Sequence, residues 1–234
     1  MGQEPESLPI GIYLVATPIG NLEDFSNRQR RIIEACDLVA CEDTRRTGRL
    51  FSRFSIKKPL ISYHEHNESS RADQLVKRAA MGERVAVVSD AGTPGISDPA
   101  YRVVRAAVDR GVPVVPVPGP SAIMAALVAS GLPTDRFVFE GFLPQKGERR
   151  WRRLRELLEE DRTVILFESP HRVVRLVEEI FNRSPSRSLV LARELTKLHE
   201  EFLRGTAAEL AKKLEGKTIK GECVLLFGPK RMEK

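Results

Sequence analysis

Residues 85–99, Val-Ala-Val-Val-Ser-Asp-Ala-Gly-Thr-Pro-Gly-Ile-Ser-Asp-Pro, run a short buried-strand pattern straight into a polar loop with two glycines and two prolines. Gly92 and Gly95 allow positive φ and close backbone approach, while Pro94 and Pro99 stiffen the loop, so its N–H groups can be held ready for a ligand. Similar non-helical segments recur: Thr17-Pro-Ile-Gly-Asn21, Pro116-Val-Pro-Gly-Pro-Ser121, Gly141-Phe-Leu-Pro144, Phe167-Glu-Ser-Pro-His-Arg172 and Arg193-Glu-Leu-Thr-Lys197. Most of them follow strand patterns, and α/β sheets collect ligands beyond the carboxyl ends of their strands. No Gly-x-Gly-x-x-Gly follows the first strand pattern and no Walker-type Gly-x-x-x-x-Gly-Lys-Ser/Thr occurs, which argues against an ordinary dinucleotide or nucleoside-triphosphate site.

Metal chemistry has little to build on. His64-Glu65-His66 is the one string that resembles a metal cluster, since in a strand its two imidazoles would share one face, but no further ligands accompany them, and no metal is expected. Cys36, Cys41 and Cys223 form no Cys-x-x-Cys pair and sit in apolar segments, so core packing is their expected role.

The elements that must position these loops alternate. Short β-branched runs at 12–16, 38–41, 60–63, 85–89 and 114–117 are separated mostly by helix-compatible segments, with helical spacing at 28–36, 69–81, 100–110 and 121–130. That order predicts a largely parallel sheet covered by helices. After the connector Gly131-Leu-Pro-Thr-Asp135, strands are expected at 137–142, 163–167, 188–192, 202–204 and 219–227, and helices at 146–159, 171–182 and 207–214. Two adjacent late strands predict antiparallel pairs. The fold class expected is α/β, with an N-terminal, mainly parallel domain over 10–132, a C-terminal mixed-sheet domain over 136–230, and a cofactor cleft between the domains.

The chain has 234 residues, 41% hydrophobic, with a net charge of +6. Residues 1–132 hold 16 Lys+Arg against 15 Asp+Glu and residues 133–234 hold 22 against 17, so the second half carries most of the basic excess. Arg149-Arg150-Trp151-Arg152-Arg153 and Asn27-Arg28-Gln29-Arg30-Arg31 suit a phosphate-rich partner. A helix at 146–159 would also bury Trp151, Leu154, Leu157 and Leu158 as one stripe, leaving its arginines solvated. The longest apolar run, 122–129, is too short to span a bilayer and the first ten residues lack a signal-peptide plan, so a cytoplasmic protein without membrane contact is expected.

Together these strings resemble the tetrapyrrole methylase superfamily, and within it the branch that 2′-O-methylates a cytidine of 16S ribosomal RNA in the small subunit. The resemblance runs from Leu14-Val-Ala-Thr-Pro-Ile-Gly-Asn-Leu22 through Cys41-Glu-Asp-Thr-Arg45, Ser89-Asp-Ala-Gly-Thr-Pro94, Pro118-Gly-Pro-Ser121, Glu140-Gly-Phe-Leu-Pro144 and Glu168-Ser-Pro-His-Arg172 to Arg193-Glu-Leu-Thr-Lys-Leu-His-Glu200. It implies that S-adenosylmethionine is held by Val88, Ser89, Asp90 and Thr93, by Ser121 and Ala122, and by Glu168 and Leu195. Ser89-Asp90-Ala91 stands where the superfamily more commonly has Gly-Asp-Pro, which is similar to the ribosomal RNA branch. The resemblance also implies a homodimer.

The reaction implied is in-line attack of a ribose hydroxyl oxygen on a sulfonium methyl, so alignment supplies much of the rate and a base can assist. Glu194, Lys197, His171, Asp24 and Glu42 are the titratable candidates in the matching loops, with Lys197 and Glu194 the expected catalytic pair. Asn21, Arg45, Arg46, Arg172 and Arg193 are the expected substrate-binding residues, the arginines suiting RNA phosphate or base edges. The alternatives are a methyltransferase acting on a precorrin-like tetrapyrrole and an RNA-binding ribosome-assembly factor without catalysis.

Overall fold

Successive strand residues point to opposite faces, so a strand that is apolar throughout must be covered twice. β4 (Arg84–Val88) is such a strand from Val85 to Val88. In the computed structural model, which describes residues 8–230, Val85 and Val87 share a core with Leu75, Val76 and Val103, whereas Ala86 and Val88 share one with Ile32, Ile33 and Phe51. The covering helices are α3 (Glu68–Ala80) and α4 (Tyr101–Asp109) on one face and α1 (Asn27–Ala35) and α2 (Thr44–Arg53) on the other. With β1 (Gly11–Val15), β2 (Leu38–Cys41), β3 (Leu60–Ser62) and β5 (Val114–Val117), β4 forms a wholly parallel sheet in the order β3-β2-β4-β1-β5.

Expected elements of this half recur with ends shifted by a residue or two. The sequence pattern passes over α2, whose surface is crowded by Arg45, Arg46, Arg49 and Arg53. Asp43 starts that helix by accepting the N–H groups of Arg45 (2.8 Å) and Arg46 (3.4 Å), an N-cap that satisfies otherwise orphaned donors. A 3₁₀ turn, Leu22–Asp24, begins in the same way: Asn21 Oδ1 accepts the Glu23 N–H at 3.0 Å. His64 and His66 lie between β3 and α3, outside any strand, and their rings meet edge-on at 5.8 Å. All three cysteines are buried and free, as core packing requires.

The second half holds β6 (Phe137–Phe142), β7 (Thr163–Glu168), β8 (Ser188–Arg193), β9 (Glu201–Thr206) and β10 (Cys223–Phe227) in the order β6-β7-β10-β8-β9. β6 and β7 run parallel and the remaining pairs are antiparallel. The last strand starts later than its apolar pattern predicts because Gly221 turns the chain at φ +85°. Helices α6 (Glu148–Leu158), α7 (Pro170–Phe181) and α8 (Ala207–Leu214) cover one core, in which Leu154, Leu157 and Leu158 meet Val173, Leu176 and Ile180. By their contacts, residues through Ser121 form one compact unit and those from Ala122 a second, because α5 (Ala122–Val128) packs on β10. No helix among the described residues is long and apolar enough to cross a membrane.

The arginine run on α6 divides three ways, which neither a uniformly solvated face nor a uniformly partner-facing one predicts. Arg150 is 2% exposed and sits between Glu168 (3.4 Å) and Glu179 (3.0 Å), Arg153 is paired to Glu140 (2.5 Å) and Glu156 (2.9 Å), and Arg149 and Arg152 are exposed. Removing one member of a buried ion pair strands the other charge, at a cost of about 3–5 kcal/mol, whereas a partly exposed pair contributes about 1 kcal/mol or less. Urea unfolding should therefore show a loss of about 3 kcal/mol or more for Arg150→Met and a loss under about 1 kcal/mol for Arg153→Met. Equal losses for the two variants would contradict this account of the network.

Candidate active site

The order of the parallel sheet creates a crevice. β1 continues through α1 to β2 on one side, β4 continues through α4 to β5 on the other, and β1 and β4 are neighbours. Adjacent strands whose connections leave in opposite directions open a gap at their carboxyl ends, where open α/β sheets bind ligands. The loops at this gap are tied by short-range hydrogen bonds. Thr17 and Gly92 exchange backbone bonds of 2.9 and 3.0 Å, Thr17 Oγ1 donates to the Ser89 carbonyl (3.0 Å), and Ser89 Oγ donates to the Gly92 carbonyl (3.0 Å). Thr93 Oγ1 reaches the Pro120 carbonyl at 3.4 Å, adding the loop after β5.

Glycine is required at two of these positions. Gly92 has φ +83°, and a Cβ on Gly119 would lie 2.9 Å from the Ala16 methyl and overlap the Gln29 amide. That amide belongs to the fully buried Gln29, which closes the capping box of α1 with Ser26 and donates to the Ala16 carbonyl at 2.8 Å. Ser89 and Thr93, expected on the methyl donor, thus use their hydroxyls to shape the loop. Val88 is buried beneath it, while Ser121 and Ala122 are half-buried at the start of α5.

Carboxyl groups gather at the same strand ends. Asp90 accepts the Asp43 N–H (3.2 Å) and pairs with Arg46 (3.0 Å). Burial, reinforced by the charges of Glu42 and Asp90, pushes Asp98 up to about 7 despite a hydrogen bond with Ser89. Glu42 is raised too, by burial first and Asp90 second, with Arg46 opposing. Ser97, next to Asp98, holds φ +62°, a conformation that costs energy for a residue with a side chain. Carboxylates so arranged favour a ligand that brings positive charge or hydroxyl donors. Asp98 goes unremarked in the sequence reading, although its place at the end of the 85–99 loop was the available signal.

In the second unit, the loop after β8 is strained in the same sense: Glu194 has φ +51° and Thr196 φ +65°. Glu194 Oε1 accepts from Lys197 Nζ (2.8 Å) and from the Glu222 N–H (3.0 Å), and a Cβ on Gly221 would overlap this carboxylate. The Lys197 ammonium, helped by the Glu222 N–H, holds Glu194 below its ordinary range. Lys197 loses solvation, which favours the neutral amine, but Glu194 and Glu222 outweigh this and raise its pKa. Neither group is tuned as a proton acceptor; together they form a fixed cation and its support.

The other expected residues are placed as follows. Glu168 is buried, its carboxylate engaged by Arg172 (2.6 Å), Arg150 (3.4 Å) and the Ser169 N–H (2.7 Å). Leu195 is buried, and Arg193 pairs with Glu201 at 3.5 Å while its Nε is buried without a partner. Arg45 and Arg46 are exposed and paired with Asp43 and Asp90, and such pairs exchange readily for phosphate because each is worth little in water. Asn21 is the cap of the 3₁₀ turn.

The model of the Tetrapyrrole (Corrin/Porphyrin) Methylases matches residues 11–211. The chain belongs to that family. It is 48% identical over 219 residues to the ribosomal RNA small subunit methyltransferase I of Synechocystis sp., covering 93% of this chain and 78% of that protein. The protein of the same name from Thermotoga maritima is 42% identical over 219 residues, covering 94% and 98%. Among solved structures, uroporphyrin-III C-methyltransferase from Thermus thermophilus complexed with S-adenyl homocysteine aligns with a TM-score of 0.64 at 18% identity, over 93% of this chain and 97% of that one. Diphthine synthase aligns with a TM-score of 0.70 at 17% identity, over 95% and 91%. At such identities these structures establish the shared fold of this family member.

The raised pKa of Asp98 has a sign that stability measurements can read. A carboxyl whose folded pKa lies above its unfolded value of 3.8 contributes stability that is fully present below 3.8 and lost as pH rises through about 7. Asp98→Asn, which cannot ionise, should gain stability relative to the wild type between about pH 5 and about pH 8 in urea titrations. A difference independent of pH would mean that Asp98 is an ordinary solvated carboxylate.

Proposed function

We propose that this protein transfers a methyl group from S-adenosylmethionine to the 2′-hydroxyl of a cytidine in 16S ribosomal RNA, as a cytoplasmic homodimer. The observation that carries the reading is the near end-to-end identity, 48% over 93% of the chain, to a small-subunit ribosomal RNA methyltransferase. The dimer rests on the family resemblance.

S-adenosylmethionine, when bound, supplies a methyl group on a sulfonium, already joined to a good leaving group. Glu42, Asp90 and Asp98 suit a molecule carrying sulfonium, ammonium and ribose hydroxyl groups, and the tied loop from Val88 to Thr93, with Ser121 and Ala122, offers preset backbone around them. Glu168 and Leu195 are carried over from the resemblance, Glu168 through its backbone because its carboxylate is engaged by arginines. No residue here needs to form a covalent intermediate. The chain's task is to align the hydroxyl oxygen with the methyl carbon as the carbon–sulfur bond breaks and the hydroxyl proton passes to water, and positioning of this kind supplies much of the rate.

Lys197, held protonated by Glu194 and Glu222, orients a phosphate next to the target ribose, and Glu194 fixes Lys197. Asn21, Arg45, Arg46, Arg172 and Arg193 add polar and cationic contacts to RNA, and the net charge of +6 favours its approach.

The test is methyl transfer to small ribosomal subunits and their RNA, mapped by mass spectrometry. A deoxyribose at the target should abolish turnover while leaving most phosphate-driven binding, since only the 2′-hydroxyl is lost. Lys197→Ala should slow single turnover by about 10²-fold, the scale of a small misplacement of reacting groups. Transfer that persists on the deoxy substrate puts the methyl on the base. Tight binding without transfer to any small-subunit particle favours an assembly factor, and transfer to a tetrapyrrole instead of RNA favours the macrocycle enzyme.

A further inference from the structure

α2 carries arginines at four positions, and they divide into two kinds. Arg45 and Arg46 are paired with Asp43 and Asp90. Arg49 and Arg53, one helical turn apart on the same face, are exposed and have no hydrogen-bond or ion-pair partner among the described residues. Both line a cavity of about 290 Å³ whose other walls include Pro18, Leu22 and Leu50, and which reaches Asp90 at the strand-end crevice. Two arginines and a single acid, Asp90, line the cavity, so the net charge facing it is positive.

Unpaired guanidinium groups over an apolar wall are the chemistry of a nucleotide: two planar forks for phosphate oxygens and a greasy surface for the ribose or base. The volume stands close to the lower end of ordinary ligand sites, about 300–1,000 Å³, which suits one nucleotide unit. We propose that this cavity is a subsite for one nucleotide of single-stranded RNA, with Arg49 and Arg53 gripping its phosphate and Leu22 and Leu50 seating its sugar or base. The proposal rests on the ribosomal RNA reading above and adds a phosphate contact to it. The subsite lies beside Asp90, so it holds a nucleotide next to the reacting one in register with the donor loop.

The experiment measures binding of a single-stranded 16S RNA fragment to the full-length protein across a salt series, without turnover. Each phosphate neutralised on a single strand contributes about 0.7 to the slope of log affinity against log salt, so Arg49→Gln/Arg53→Gln, which frees one phosphate, should lower the slope magnitude by about 0.7. Arg49→Lys/Arg53→Lys should keep the slope and weaken binding several-fold, since lysine retains charge but not the fork. Leu22→Ala should weaken binding several-fold with the slope unchanged, because it removes wall and no charge. Calorimetry should find the affinity for S-adenosylmethionine unaltered in all three, and thermal melts should find them folded.

An unchanged slope in the glutamine variant would overturn the phosphate grip, and unchanged affinity in Leu22→Ala would reduce the arginines to surface charges. Loss of donor affinity alongside RNA affinity would give the cavity to the donor. The two readings fail separately. A wild-type protein that methylates ribosomal RNA while the glutamine variant keeps its slope and KM overturns only the subsite. One that never transfers methyl to RNA, while the variant loses its slope, overturns only the methyl-transfer reading.

Discussion

The pair of backbone hydrogen bonds exchanged by Thr17 and Gly92 is the constraint on which the first unit's functional edge depends. Parallel strands bond along their length, but nothing in a sheet requires the loops beyond two neighbouring strands to stay together. At this edge the connections leave in opposite directions, so the loops would otherwise splay. The Thr17 and Ser89 hydroxyls satisfy carbonyls inside the same knot, which leaves the remaining loop groups directed outward with little freedom to lose on binding.

Gln29 extends the knot to a helix. Its side chain closes the cap of α1 and reaches the Ala16 carbonyl, so the position of α1 and the path of the chain leaving β1 are set by one buried amide. Gly119 lets the loop after β5 come against that amide, where any side chain would displace it. Three loops and one helix are thereby registered to each other by hydrogen bonds and close packing. The carboxyl groups held at this edge repel one another, and Asp98 relieves the repulsion by favouring its protonated form. Complementary positive charge on a ligand would offset the same repulsion.

The second unit solves its polar problem differently. Arg150 enters a core with two carboxylates, and Arg172 and Arg175 complete their coordination from α7. A network so fully engaged gives little stability over an apolar core but is intolerant of losing a member, so it fixes how α6, α7 and β7 meet. Glu168, at the end of β7, is therefore a structural ion before it is anything else. Glu194 shows the converse: its backbone is strained, its carboxylate grips Lys197, and Gly221 leaves the space for it.

Local pattern in the sequence determined the elements of both halves, the mainly parallel first sheet, the antiparallel character of the second, and the loops at the strand ends, because alternation and glycine-proline punctuation are readable over a few residues. It also determined membership of the family, since several short strings had to occur together. It did not determine α2, whose run of arginines hides the apolar spacing, nor which member of residues 149–153 would turn inward, because Arg150 is drawn in by Glu168 and Glu179, 18 and 29 residues away. Only tertiary structure made Ser89 and Thr93 into loop ties, raised Asp98, paired Lys197 with Glu194, and left Arg49 and Arg53 unmatched among the described residues beside a cavity. Each of those outcomes depends on distances between charges and on burial, and neither quantity exists until the chain has folded.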